Sequence, residues 1–106
     1  MLSIIDNMTT MISSFSSKLA EDIFYDKKTR ETRKFPTELY RVARRKLLYL
    51  FEAESLTDLR VPPNNRLEAL KGDLKGHYSI RINNQRRIVF KWSNRSASDV
   101  KIVDYH

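Results

Sequence analysis

The sequence predicts an α+β fold, in which two N-terminal helices pack on a twisted, mainly antiparallel sheet. Apolar residues recur at three- and four-residue steps from Leu39 to Leu50, which is the spacing of one helix face. After Pro62-Pro63 the spacing changes to alternation, as in Tyr78-Ser79-Ile80-Arg81-Ile82. Alternation indicates half-buried strands. Helices that come first and strands that follow indicate α+β rather than a βαβ arrangement.

Residues 1–10 are expected to form an N-terminal extension, disordered in part, to a single domain that spans residues 11–106. Met8 and Met11 would each serve as an alternative start of translation. Ile12 to Phe15 is predicted to be a first strand. Ser16 and Ser17 are suited to cap a helix from about Lys18 to Lys27, because serine side chains accept hydrogen bonds from the first helical amides.

The charged run from Lys27 to Lys34 is predicted to be a loop. A second helix is predicted to open at Pro36-Thr37, with Glu38 at the positive end of the helix dipole. Its core stripe comprises Leu39, Ala43, Leu47 and Leu50/Phe51. Four cations are expected to lie mostly off that stripe, as a solvated face or as a surface for an acidic partner or a phosphate backbone: Arg41, Arg44, Arg45 and Lys46.

The second half of the chain predicts a linker followed by a hairpin. Pro62-Pro63 prevents a helix from continuing through the linker, Thr57 to Asn65. Asn83-Asn84-Gln85 is the predicted turn between the run that ends at Ile82 and the run that holds Ile88, Phe90 and Trp92. Val100 and Ile102 form a third short run.

Composition excludes several classes of function. The chain has 106 residues, no cysteine and two histidines, so neither a disulfide framework nor a cysteine- or histidine-rich metal site is expected. No apolar run predicts a membrane span, and a cytoplasmic location fits best. The formal net charge is +7. Residues 64–106 hold nine Lys/Arg and four Asp/Glu, and this basic excess favours a polyanion such as nucleic acid as a partner.

Strand alternation places two arginines together. If Ile80 and Ile88 share the core face, then Arg81 and Arg87 lie about opposite one another on the other face. Like charges across a strand pair are destabilising. A phosphate bound by both guanidiniums would explain that arrangement, since arginine binds phosphate through two parallel hydrogen bonds. The alternatives are a register shifted by one residue, or side chains that splay into water.

Other polar residues near the predicted hairpin complete a possible acid–base set. Glu68 is able to accept a proton at close range, and a bend at Gly72 would bring it and Lys71 to the arginines. His106 lies beside the α-carboxylate of the chain, which favours its imidazolium form. Tyr105 is suited to stack on an RNA base. Taken singly, Glu68 and His106 would more often be a surface carboxylate and a frayed end.

These residues lie in segments that resemble the RelE/ParE superfamily of bacterial toxins, and specifically its HigB branch. The resemblance covers nearly the whole chain from about Met11. Its most specific segments are Val61-Pro62-Pro63-x-Asn65-Arg66-Leu67-Glu68-Ala69-Leu70-Lys71-Gly72-Asp73, where x is any residue, Tyr78-Ser79-Ile80-Arg81-Ile82-Asn83 and Val103-Asp104-Tyr105-His106. Each segment alone is a weak pattern, and the three in this order form a strong one.

The resemblance implies a RelE-like fold and a ribosome-dependent mRNA endonuclease that works without a metal or cofactor. By similarity to YoeB toxins, Glu68 would be the general base, Arg87 would stabilise charge on the phosphate and His106 would protonate the leaving 5′-oxygen. Lys71 and Arg81 would support phosphate binding. The implied partners are the ribosome with its mRNA and a cognate, HigA-like antitoxin, whose complex with the toxin would reach operator DNA.

Two positions depart from the family pattern. Some HigB toxins have histidine where this chain has Glu68, so the identity of the base stays open. Many relatives have tryptophan where this chain has Arg86, which should alter packing more than chemistry. The competing functions are a non-catalytic nucleic-acid-binding subunit, a small ribosome- or RNA-binding structural protein and a ParE-like toxin that acts on gyrase. The ParE branch generally lacks the Tyr105-His106 ending.

Overall fold

The computed structural model describes residues 12–105. The predicted extension, residues 1–10, and the predicted general acid, His106, lie outside the described residues. Within them the helices and strands have these bounds: α1, Lys18–Phe24; α2, Arg30–Lys34; α3, Thr37–Glu52; β1, Glu68–Ala69; β2, His77–Arg81; β3, Arg86–Ser93; and β4, Ser96–Asp104. Helices come first and an antiparallel sheet follows, so the predicted α+β class is confirmed.

The first helix begins as predicted but ends earlier. The Ser17 side chain accepts a hydrogen bond from the Ala20 amide at 3.0 Å, which caps the start of α1. The helix ends at Phe24 rather than near Lys27, because Asp26 adopts a left-handed backbone with φ of 57°.

The prediction of a loop from Lys27 to Lys34 was wrong for its second half, which forms α2. Thr29 and Thr32 build a reciprocal capping box: each side chain accepts a hydrogen bond from the other's amide. Glu31 lies in the first turn of this helix, beside Arg30, and Arg33 and Lys34 lie in its last turn; the positions of Glu31, Arg33 and Lys34 favour the helix dipole. A short charged helix of this kind has no apolar stripe, so it lacks the apolar spacing from which a helix is predicted.

The long helix α3 follows the prediction closely. Ala43, Leu47 and Leu50 are fully buried, as the apolar stripe required. Lys46 was expected among the solvated cations, and that expectation was wrong, since it is only 4% exposed. It follows Ala43 by three residues and precedes Leu50 by four, so it lies at the margin of the buried stripe.

The predicted linker is more ordered than expected. It contains two 3₁₀ turns, Leu56–Arg60 and Pro63–Asn65, with a cis peptide bond between Val61 and Pro62. In the first turn Leu59 is buried. In the second, Asn65 is fully buried and packs close to β2.

The four strands form one antiparallel sheet in the order β1-β2-β3-β4. Ile80 pairs with Ile88 and Arg81 pairs with Arg87, which is the register that strand alternation predicts. The segment from Ile12 to Phe15 is not a regular strand. It makes two isolated parallel bridges to β4, at Ala97 and at Val100.

One face of the sheet packs against the helices around a continuous apolar core. Its buried members include residues from α1, α3, β2, β3 and β4: Ala20, Ile23, Ala43, Leu47, Leu50, Ile80, Ile88, Phe90, Ala97 and Val100. The opposite face carries the polar residues that alternate with this set. No helix within residues 12–105 combines the length and the apolar character that crossing a membrane requires.

Candidate active site on the polar face of the sheet

The predicted pair of arginines lies on the sheet face that points away from the helical core. Arg81 and Arg87 are direct cross-strand partners, one at the end of β2 and the other near the start of β3. Two like charges in such a pair repel one another. The structure therefore keeps an unfavourable pair where a purely structural sheet would gain from losing it.

The Arg87 guanidinium is held in place by groups of three residues, Ser79, Arg66 and Glu68. Its Nε donates to the Ser79 hydroxyl at 2.7 Å, and its Nη2 donates to the Arg66 carbonyl at 2.5 Å. The same Nη2 lies 3.8 Å from Oε1 of Glu68. The Arg87 side chain is only 13% exposed. A guanidinium fixed at this level of burial presents its remaining N–H groups in one orientation.

Glu68 lies on the same face as Arg87 because of its place in the sheet. As the first residue of β1 it pairs with Ser79 of β2, and that pairing puts its carboxylate beside the Arg87 guanidinium. Its side chain is 57% exposed. The predicted base is therefore accessible to a ligand, while the predicted phosphate-binding arginine is fixed below it.

The remaining predicted residues lie at two ends of β2. The Arg81 guanidinium donates to the Asn84 side chain in the hairpin turn, next to Arg87. Tyr105 is 40% exposed, and its amide donates to the Gln85 carbonyl at 2.6 Å. It therefore lies at the same end of the sheet as the two arginines. His106 follows it and lies outside the described residues.

Lys71 lies at the other end of this strand. It is exposed and follows Leu70, whose amide donates to the His77 carbonyl at the start of β2. His77 is four residues from Arg81, which corresponds to about 13 Å along a strand. Lys71 therefore lies well away from Arg81 along the strand.

Arg86 points to the core side, as alternation predicted. Its guanidinium lies 5.7 Å from the centre of the Phe35 ring and 3.5 Å from a carboxylate oxygen of Asp104. A cation over an aromatic face stabilises packing. Arg86 therefore closes the edge of the core rather than contributing to the site.

Two groups of the site were missed in the sequence. Ser79 is fully buried although it belongs to the polar face, because the Arg87 side chain covers it. The Arg66 carbonyl turns toward Arg87 from a left-handed backbone with φ of 46°. A small residue at position 79 indicates only weakly that a larger side chain covers that position. A backbone carbonyl gives no sequence signal at all.

The arrangement suits proton transfer next to a bound anion. A carboxylate and a guanidinium are adjacent, and Arg81 adds a second positive charge on the same face. A phosphate that binds the arginines would lie within reach of the carboxylate. Within residues 12–105, no cluster of three His, Asp or Glu residues is suited to bind a metal ion.

A second basic surface lies on the helical side of the protein. Two neighbouring cavities, of about 460 and 500 Å³, share Tyr40 and Arg41. The Tyr40 hydroxyl donates to Asp26 at 2.5 Å, and burial together with that carboxylate raises the pKa of Tyr40 to about 12. We call the cations that line these cavities the basic groove: Lys27, Lys28, Arg33, Arg41, Arg44 and Arg45.

Known proteins resemble this chain in sequence and in fold. A family model described as the RelE-like toxin of type II toxin–antitoxin system HigB matches residues 13–106. Toxin HigB-1 of Vibrio cholerae serotype O1 is 42% identical over 82 residues, which cover 77% of this chain and 84% of that protein.

The fold likeness is to solved toxin–antitoxin structures. A YoeB–YefM complex from Staphylococcus aureus matches with a TM-score of 0.50 and 23% identity, over 88% of this chain and 93% of that one. A heterotetrameric complex of the YoeB–YefM toxin–antitoxin from the same organism matches with the same values. At this identity the likeness establishes the fold alone, and it agrees with the helix and strand order described above.

Proposed function

The chain belongs to the HigB family of RelE-like toxins of type II toxin–antitoxin systems, and we propose that it is a ribosome-dependent mRNA endonuclease. The observation that carries the proposal is the fixed Arg87 guanidinium with the exposed Glu68 carboxylate 3.8 Å away. A surface that only bound nucleic acid would have no need for a carboxylate beside its most rigid arginine, because that carboxylate repels phosphate.

In the proposed reaction Glu68 takes the proton from a ribose 2′-hydroxyl, and the 2′-oxygen attacks the adjacent phosphorus. A 2′-oxygen–phosphorus bond forms, the bond to the 5′-oxygen breaks, and His106 gives a proton to that leaving oxygen. The products are a 2′,3′-cyclic phosphate and a 5′-hydroxyl. Arg87 stabilises the charge that develops on the phosphoryl oxygens, with Arg81 as a second phosphate ligand. No metal or cofactor enters these steps.

Supporting contacts to RNA are assigned to Tyr105 and Lys71. Tyr105 is exposed at the arginine end of the sheet, where it would stack on a base beside the cleaved bond. Lys71 lies near the far end of β2, so it would bind a phosphate more remote from that bond. The protein would act in the cytoplasm, where translated mRNA is found.

The test of this function is primer extension on an mRNA, with and without ribosomes, for the wild type and for His106→Gln. We expect new 5′ ends that require ribosomes, and a rate of cleavage at least about 100-fold lower in the variant, because a general acid contributes that much. The matched control is Lys75→Gln, which changes another exposed residue. Cuts that persist in His106→Gln would remove the proposed acid. A folded, toxic wild type that makes no cuts would contradict the nuclease.

We further propose that an acidic segment of the cognate antitoxin binds the basic groove. Six cations line it, and its one lining carboxylate, Asp26, already accepts a hydrogen bond from Tyr40. Bound there, the antitoxin would leave the Glu68–Arg87 face uncovered. It would inhibit the toxin by making it too large to reach mRNA on the ribosome. The same complex would bind operator DNA through the antitoxin.

Charge reversal in the groove is expected to weaken that complex. Arg41 is exposed and belongs to both cavities, so Arg41→Glu should raise the dissociation constant for the antitoxin by about 10-fold or more at physiological salt. Titration calorimetry would measure it, with Lys75→Glu as a control of equal charge change outside the groove. Equal affinities in the two variants would place the antitoxin elsewhere on the toxin.

A further inference from the structure

A buried lysine links the long helix to the segment that carries the candidate site. The Lys46 side chain reaches from α3 to the 3₁₀ turn at Pro63–Asn65. Its ammonium donates to Oδ1 of Asn65 at 2.5 Å and to Oδ1 of Asn64 at 3.1 Å. Lys46 is only 4% exposed. Among residues 12–105 it forms no ion pair with a carboxylate; its charge is received by the two amide oxygens and by the Tyr49 ring, whose centre lies 5.9 Å from the ammonium.

Such a lysine is costly for a fold to keep. Burial lowers the pKa of Lys46 below its usual range, and the nearby positive charges of Arg45 and Arg81 lower it further. An apolar side chain at the margin of a core stripe would avoid both penalties. The packing of α3 alone therefore does not explain why a lysine is buried at this position.

Asn65, which accepts a hydrogen bond from Lys46, fixes the backbone of the turn that contains it. Asn65 is fully buried, and its side-chain amide donates to the carbonyls of Leu59 and Val61 at 3.0 and 3.3 Å. Its side-chain oxygen accepts the hydrogen bond from Lys46. The residue is thus held from both ends of its amide, and the turn that contains it cannot rotate without breaking these bonds.

The segment that follows Asn65 enters the candidate site directly. Arg66 has a left-handed backbone that is unfavourable for a residue other than glycine. Its amide donates to the Pro63 carbonyl at 3.1 Å, and its own carbonyl accepts from Arg87 at 2.5 Å. Glu68 comes two residues later and opens β1. Two of the three residues that hold the Arg87 guanidinium, Arg66 and Glu68, therefore belong to a segment anchored through Asn65.

We propose that Lys46 is a positioning residue of the active site, which clamps the Asn64–Asn65 turn so that the Arg66 carbonyl and Glu68 meet Arg87. The inference rests on the proposed function for its kinetic consequence, but not for its structural one. Lys46 contacts neither substrate nor reacting atoms in this scheme. It acts on the reaction only through the geometry of the carboxylate and the guanidinium.

The kinetic test compares Lys46→Met with Lys34→Met, which removes an exposed lysine from α2. We expect kcat for ribosome-dependent cleavage to fall about 100-fold in Lys46→Met with little change in KM, because small displacements of reacting groups cost that much. The control should be unchanged. Asn64→Ala, which removes one acceptor of the ammonium at an exposed residue, should give a smaller fall in kcat and keep the fold.

A double-mutant cycle separates positioning from general destabilisation. If Lys46 acts through Glu68 and Arg87, the loss of rate caused by Lys46→Met should be smaller in the Glu68→Gln background than in the wild type. A fully additive loss would overturn the proposal. So would unchanged kcat in both Lys46→Met and Asn64→Ala.

A second readout does not require activity. Hydrogen exchange at the Arg87 Nη2–H groups, which contact the Arg66 carbonyl and Glu68, should be at least about 10-fold faster in Lys46→Met and moderately faster in Asn64→Ala when followed by NMR, but unchanged in Lys34→Met. A wild type that cuts no RNA would contradict the proposed function, while faster exchange would still support the clamp. Equal exchange in wild type, Lys46→Met and Asn64→Ala would overturn the clamp whether or not the protein is a nuclease.

Discussion

Replacing Arg87 by alanine is expected to lower the single-turnover rate of mRNA cleavage on ribosomes by about 1,000-fold. The loss of one preorganised donor to a developing anion costs roughly 100- to 1,000-fold, and here the donor also lies 3.8 Å from the Glu68 carboxylate. The upper value is expected because the guanidinium is 13% exposed and bound on three sides, so that water replaces it poorly. Quenched-flow cleavage of a programmed ribosome complex would measure it.

Two further variants make this test specific. Arg87→Lys keeps the charge but not the paired N–H groups, and it should recover only a small part of the rate. Lys91→Ala removes an exposed cation from the same face of β3, paired with Asp99 at 3.3 Å, and its cleavage rate should be near that of the wild type.

Arg87→Ala leaves the buried Ser79 hydroxyl without its donor, at a cost of about 1–3 kcal/mol of folding stability, so its folding must be verified by thermal unfolding. A folded Arg87→Ala protein of full activity would refute the assigned role.

Elements with a strong period were predicted well from the sequence. The stripe Ala43, Leu47 and Leu50 and the pairing of Ile80 with Ile88 follow from one rule each, the helix period and strand alternation. The facing arginines followed from that pairing. Pattern was sufficient in these places because burial of apolar surface decides which face turns inward.

The remaining features depend on contacts that no local pattern encodes. The helix at Arg30–Lys34 is started by a threonine capping box rather than by apolar spacing. Lys46 is buried because two asparagines distant in sequence accept from its ammonium. The Arg66 carbonyl belongs to the site through its backbone conformation alone. Each of these is a hydrogen bond that depends on the tertiary arrangement.

Glu68→Gln should show whether the carboxylate is the base or only a partner of the arginine. The substitution keeps the shape of the side chain and an oxygen acceptor, while it removes the ability to take a proton. Since the Glu68 side chain is 57% exposed, its ion pair with Arg87 is worth little to the fold, about 0–1 kcal/mol. We therefore expect an unchanged thermal midpoint and a cleavage rate about 1,000-fold lower, within the range for a lost general base.

A second ion pair provides the matched control for this variant. Glu54 and Arg95 are separated by 3.9 Å, both are well exposed, and neither lies among the proposed site residues. Glu54→Gln should therefore leave the rate unchanged. Glu68→His provides the positive test, because imidazole also takes a proton near neutral pH and histidine occurs at this position in other HigB toxins.

If Glu68 is the base, Glu68→His should recover activity that Glu68→Gln lacks. Its rate should fall as pH drops below about 6.5, where a histidine becomes protonated and is no longer able to accept the 2′-hydroxyl proton. A Glu68→Gln protein that cuts within a few-fold of wild type would assign the base to another group. The role of Glu68 would then be to orient Arg87, and Glu68→His would show no such decline at low pH.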